Sequence, residues 1–168
     1  MRPTRIPISP SLRGVLDYIQ SELKRLRMEP GGAICPCCGQ LVKAYWRSMN
    51  STMARFLIKL VRIYEKTGTW VNVRKRADFA KLRGGDYAYL KHWGFIEAMD
   101  NDDDSKRSSG LWKPTEAGIA FAKKESLANK SVLLYNNKIV EWSREHVNIE
   151  GALGRRFNYT ALMYGEER

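Results

Sequence analysis

The sequence predicts an α+β fold, in which a three-helix core is closed by a β-hairpin and further elements are added at both ends. Three observations predict it. Apolar residues recur at spacings of three and four from Met53 to Tyr64, as one face of a helix requires. Short β-like runs stand at 69–73, 95–99 and 111–115, the last two bracketing a polar, charged stretch. Gly68, Gly84, Gly85 and Gly94 punctuate the segments between them. With 43% hydrophobic and 28% charged residues the chain has globular proportions, so a buried core is expected over 168 residues.

Taken in order, Pro7 and Pro10 mark an extended arm, and Ser11 is the expected cap of a helix running through Arg27. Leu12, Val15, Leu16, Ile19, Leu23 and Leu26 give that helix an apolar stripe, and Pro30, Gly31 and Gly32 end it. The stripe needs cover, either from the core module or from a second copy of the chain. A second helix is expected from Asn50 to the stop at Gly68, with Met53, Phe56, Leu57, Leu60, Val61 and Tyr64 facing the core. After the run 69–73 come the basic turn Arg74, Lys75, Arg76 and a short helical stretch holding Phe79 and Leu82.

Residues 86–94, DYAYLKHWG, read as a two-turn helix with Leu90 and Trp93 inward and Ala88, Lys91 and His92 outward. The strand FIEAM, the polar loop NDDDSKRSSG and the strand LWKPT then form a hairpin, after which Thr115 caps a helix anchored by Ile119 and Phe121. In the C-terminal segment, alternation around Asn136 and Asn137 predicts a second hairpin, since Asn tolerates the positive φ of a tight turn. Helix is expected beyond Asn148, with Gly151 and Gly154 weakening it. The resulting organisation is an N-terminal arm, helix and cysteine turn over 1–49, a core domain over 50–125 and a hairpin-helix appendix over 126–168.

The order helix, strand, short helix, second short helix, strand, charged loop, strand, helix is that of a winged helix-turn-helix. Residues 90–124 carry the closest likeness: Gly94, Phe95 and Ile96 at the strand start, Asp104 and Arg107 in the loop, and Thr115, Glu116 and Gly118 at the helix start. This stretch resembles the wing and following helix of MarR-like regulators. The whole chain is also similar to proteins encoded by bacteriophages and prophages in which a CPxCG turn precedes a winged helix. The resemblance implies duplex DNA as partner, with Arg83, Tyr87, Lys91 and His92 facing the groove and Lys106 and Arg107 as wing contacts. Arg74, Lys75 and Arg76 are placed for phosphates, because three consecutive cations rarely serve packing.

Charge agrees with a polyanionic partner. Residues 1–100 hold 18 Lys and Arg against 8 Asp and Glu, whereas 101–168 hold 11 against 10. The basic field therefore belongs to the first hundred residues, and it favours nucleic acid or an anionic surface as partner. A second reading stays open, in which the scaffold is a phage-encoded module that binds a host protein through its basic face or the aromatic tail around Trp142, Phe157 and Tyr159.

Cys35, Cys37 and Cys38 stand within four residues, a clustering that does not suit a spread disulfide framework and points to a reducing interior. CPCCG contains the CPxCG turn of zinc knuckles, and the Cys35 and Cys38 spacing lets two thiolates hold one tetrahedral Zn. This is half a site. It is either kept for its turn alone or completed from elsewhere, for instance by a homodimer sharing one metal through four thiolates. No run approaches the roughly 20 apolar residues of a membrane span, and the N-terminus has no signal-peptide core, so a cytoplasmic protein without membrane contact is expected. Two histidines and the absence of GxSxG, Walker and HExxH motifs leave little from which to build an enzyme.

Overall fold

The computed structural model of the chain describes residues 10–82, 85–101 and 109–165. These divide into two compact units, one holding the chain up to Trp46 together with Leu133–Val140, the other Arg47–Val132 with the chain from Glu141 onward. The class is α+β with small antiparallel sheets, as expected. No described helix is long and apolar enough to cross a membrane.

In the first unit, α1 spans Pro10–Leu26, starting one residue before the expected cap. A turn follows, and the Arg27 carbonyl accepts a hydrogen bond from the Ala44 N–H at 2.8 Å while its guanidinium lies 4.6 Å over the Tyr135 ring. Strands β1 (Ala33–Ile34) and β2 (Leu41–Val42) pair antiparallel, with Ala33 opposite Val42 and Ile34 opposite Leu41. Among the described residues of this unit the buried apolar ones are Val42, Ala44, Leu133 and Leu134.

The second unit is built around α2, Ser51–Thr67. Its ends follow from local chemistry. The Asn50 side chain accepts from the Met53 N–H at 3.0 Å, satisfying one of the orphan amides of the first turn, and Gly68 closes the helix in the left-handed conformation at φ 65°. Met53, Ala54, Phe56, Leu57, Ile58, Leu60, Val61 and Ile63 are all buried, more than one stripe, because α2 is covered on several sides. Each large side chain sealed in this way contributes about 1.5–3 kcal/mol.

After α2, β4 (Val71–Asn72) is followed by two 3₁₀ helices, Ala77–Leu82 and Asp86–Lys91, then β5 (Ile96–Ala98) and β6 (Leu111–Pro114). The sheet order is β4-β6-β5, antiparallel throughout, with Val71 opposite Trp112 and Ile96 opposite Pro114. Helix α3, Glu116–Ala122, returns from β6. Thr115 both accepts from the Gly118 N–H at 3.1 Å and donates to the Gly94 carbonyl, tying helix to strand entry. Gly118 permits this approach, since a Cβ there would collide with the Phe95 carbonyl.

Strand β3 (Tyr45–Ser48) joins β8 (Ser131–Tyr135) and β9 (Lys138–Trp142) in a three-stranded sheet, and β7 (Ala128–Asn129) pairs with β10 (His146–Val147). Asn136 and Asn137 adopt φ 47° and 59°, the left-handed pair of a two-residue hairpin turn, at the predicted place. The C-terminal helix splits in two. Helices α4 (Ile149–Leu153) and α5 (Tyr159–Tyr164) are capped by Asn148 and Asn158, and Gly154 breaks the run at φ 75°, ψ 171°.

Candidate nucleic-acid interface

The basic turn is shaped by Asn72. Its Oδ1 accepts hydrogen bonds from the Arg74 and Lys75 amides, both at 3.2 Å, so the backbone folds back at the end of β4 and turns the cations outward. Val73 is buried and its N–H donates to the Gly110 carbonyl at 3.1 Å, anchoring the turn to the start of β6. Arg74, Lys75 and Arg76 are all exposed. The Arg74 aliphatic stem lies against Gly110, at 3.1 Å from where a Cβ would stand. Arg76 Nε approaches Asp78 Oδ2 at 3.3 Å, an exposed pair worth little energetically.

The second short helix has a different period from the one the sequence suggested, and this decides where Tyr87 goes. At three residues per turn, Tyr87, Leu90 and Trp93 share one ridge, whereas the expected two-turn α-helix put only Leu90 and Trp93 inward. Tyr87 accordingly stacks on Phe56, with centroids 4.1 Å apart and planes at 11°, and meets Trp112 edge-on at 5.6 Å. Its ring therefore packs against the core, and its position supports the surface around it. Trp93 donates from Nε1 to the Asn129 carbonyl at 2.7 Å and packs edge-on to Trp142. Lys91 is exposed, with Nζ 6.0 Å from the centre of the Trp112 ring. His92 is half-buried beside Tyr89, whose ring also receives the Arg47 guanidinium at 5.3 Å.

Arg74 and Lys91 are thereby connected. Arg74 lines a groove of about 330 Å³ shared with Tyr87, and Tyr87 leans on the Trp112 ring that Lys91 overhangs. Arg83, Lys106 and Arg107 lie outside the described residues, as do Asp102, Asp103 and Asp104.

Beside the turn lies a basic groove that the sequence reading did not single out. It measures about 320 Å³ and is lined by Lys59, Arg62 and Lys66 of α2, by Arg76 and Asp78, and by Ala161 and Leu162 of α5. Lys59 Nζ donates to the Asp78 carbonyl at 2.9 Å, and Arg62 Nη1 reaches the Leu162 carbonyl at 3.5 Å. One carboxylate among four cations leaves the groove strongly positive. Its signal was in the sequence, since residues 59, 62 and 66 follow helical spacing on the polar side of α2.

The cysteine turn belongs to the first unit. Cys35 N–H donates to the Gln40 carbonyl at 2.9 Å and Gly39 N–H to the Cys35 carbonyl at 2.8 Å, with Gly39 at φ 71°. The Cys35 thiol is held below its ordinary range because the backbone amides of Cys37 and Cys38 donate to its sulfur. Cys37 and Cys38 are exposed and all three thiols are free. Among the described residues no group of three or more His, Cys, Asp or Glu converges to hold a metal ion.

Comparison with protein-family models, with curated proteins and with solved structures gave no match.

Proposed function

We propose that residues 51–122 form a winged-helix module and that the protein acts by occupying duplex DNA, as a phage-encoded transcriptional regulator would, without catalysing a reaction. The β4-β6-β5 order, with two short helices between its first two chain segments and α-helices before and after, supports the winged-helix reading. The observation that carries the DNA reading is the exposed basic turn of Arg74, Lys75 and Arg76, whose last member also lines a groove with Lys59, Arg62 and Lys66.

The chemistry of these cations favours phosphate over base edges. The 3₁₀ helix of residues 86–91 extends about 12 Å at roughly 2 Å per residue, and its inner ridge is committed to packing. Ala88, expected to face out, packs against the core instead, so this helix offers Lys91 and the half-buried His92 toward bases, whereas the turn and groove offer six cations for backbone oxygens. In this reading Lys106 and Arg107, between β5 and β6 in the chain, are the wing contacts, and Arg83 adds to the phosphate set. Affinity should then be high relative to sequence discrimination.

The test is binding of the full chain to random-sequence duplex over a salt series, beside the triple variant Arg74→Ala, Lys75→Ala, Arg76→Ala. Each phosphate contact adds about 0.9 to the slope of log affinity against log salt, so the variant should lose up to about 2.7 of slope. Absence of binding at low salt would reject DNA and turn the search to the host-protein reading.

A further inference from the structure

We infer that the groove between α2 and α5 is a site for two neighbouring phosphate groups, gripped by Lys59, Arg62, Lys66 and Arg76. It goes beyond the DNA reading, because the site takes the linked phosphates of a small ligand as readily as those of a strand, and it stands or falls separately.

Charge gives the first argument. The groove holds four cations and one carboxylate, Asp78, which already meets Arg76. Among the described residues no ion pair engages Lys59, Arg62 or Lys66, so three positive charges face one hollow without a protein carboxylate to balance them. Like charges gathered in this way repel one another, and packing alone does not call for them; an incoming anion relieves the repulsion. A phosphodiester brings roughly one negative charge and a terminal phosphate about 1.5–2. The surplus of three therefore matches two phosphates better than one.

Position separates the groove from a merely solvated basic face. Lys59 and Arg62 are half-buried. Lys59 Nζ donates to the Asp78 carbonyl at 2.9 Å and keeps its remaining N–H donors. The Arg62 guanidinium lies across the C-terminal end of α5, reaching the Leu162 carbonyl at 3.5 Å and passing so close to Gly165 that a Cβ there would collide with it. Both cations are thus steadied by carbonyls at the walls of the groove, which reduces the side-chain freedom lost when a ligand is taken up. The guanidinium fork suits phosphate oxygens, and the apolar surface of Ile63, Ala161 and Leu162 beside it strengthens each charge contact by excluding water. At about 320 Å³ the hollow stands at the small end of the range for ligand pockets, roughly 300–1,000 Å³.

The experiment is calorimetric titration of the full chain with pyrophosphate, orthophosphate and sulfate at constant ionic strength. We expect one pyrophosphate per chain, bound about tenfold or more tighter than orthophosphate or sulfate. Arg62→Ala should weaken it about tenfold, and Lys66→Ala, at an exposed position where the fold is not at stake, about threefold. Arg144→Ala, which removes an exposed cation outside the groove, should leave the affinity unchanged. With the site established, displacement of pyrophosphate by a random-sequence duplex would name a strand as the source of the phosphates, and retention beside saturating duplex would name a small ligand. No pyrophosphate binding, an affinity no better than that for sulfate, or equal weakening by Arg144→Ala would each overturn the inference, and none of these outcomes decides whether the basic turn binds duplex.

Discussion

The two units of this protein solve the folding problem unequally. In the second, α2 is surrounded, and the main core cluster runs from Met49 to Met163 with every member in that unit. In the first, α1 is amphipathic but largely exposed, and Tyr18, at 67% exposure, stands free in solvent. The contrast teaches that an amphipathic stripe in sequence announces only a need for cover. For α2 the same chain supplies the cover, in α3, α4, α5 and β6. For α1 the cover is partial, with Leu16, Ile19, Leu23 and Leu26 half-buried and Leu12 and Val15 left exposed.

Substitutions can break or sharpen this comparison. The largest effect is expected for Phe56→Ala, whose ring is fully buried and packs on both Phe79 and Tyr87. The loss should be about 3–5 kcal/mol by urea denaturation of the second unit, and a loss below about 1 kcal/mol would mean that α2 does not organise that core.

Tyr159→Phe should cost less, about 0.5–1.5 kcal/mol, by deleting the buried hydrogen bond from Oη to the Ala122 carbonyl at 2.8 Å. It also has a pH signature. Burial, with help from the nearby Tyr164 and Glu150, pushes the Tyr159 hydroxyl up to about 12 from an ordinary 10. The folded state thus holds this proton more tightly than the unfolded state, so the contribution is complete below pH 10 and declines as pH rises from 10 to 12. Stability of the wild type should fall faster than that of the variant across this window.

Tyr18→Ala, on the exposed side of α1, should change stability by less than about 0.5 kcal/mol. A larger loss would show that this side of α1 is covered.

What was legible in the sequence was mostly local. Asn50 and Gly68 at the ends of α2, Thr115 before α3 and the Asn136, Asn137 turn could all be found because cap and turn chemistry acts over a few residues. The direction of Tyr87 was not, because it depends on whether residues 86–91 wind with three or 3.6 residues per turn, and tertiary packing chose three. Lys59, Arg62 and Lys66 lie off the apolar face of α2, and their spacing alone names no partner. Only the fold brings Arg76 and α5 alongside them. The pairing of β7 with β10 joins residues with Asn129 opposite His146, and two-residue strands leave no period to detect. The split at Gly154 was foreshadowed by the glycine but not fixed by it.

The central claim, that the second unit meets DNA through the Arg74, Lys75 and Arg76 turn, the groove of Lys59, Arg62 and Lys66, and Lys91, is tested most directly by hydrogen–deuterium exchange of the full chain with and without a random-sequence duplex at low salt. The account predicts slowed exchange over residues 71–95 and on the α2 turn around Lys59 to Lys66, with α3 and the β8 and β9 hairpin unchanged. Protection confined to α1 and the cysteine turn, or to α3 and the hairpin, would contradict it.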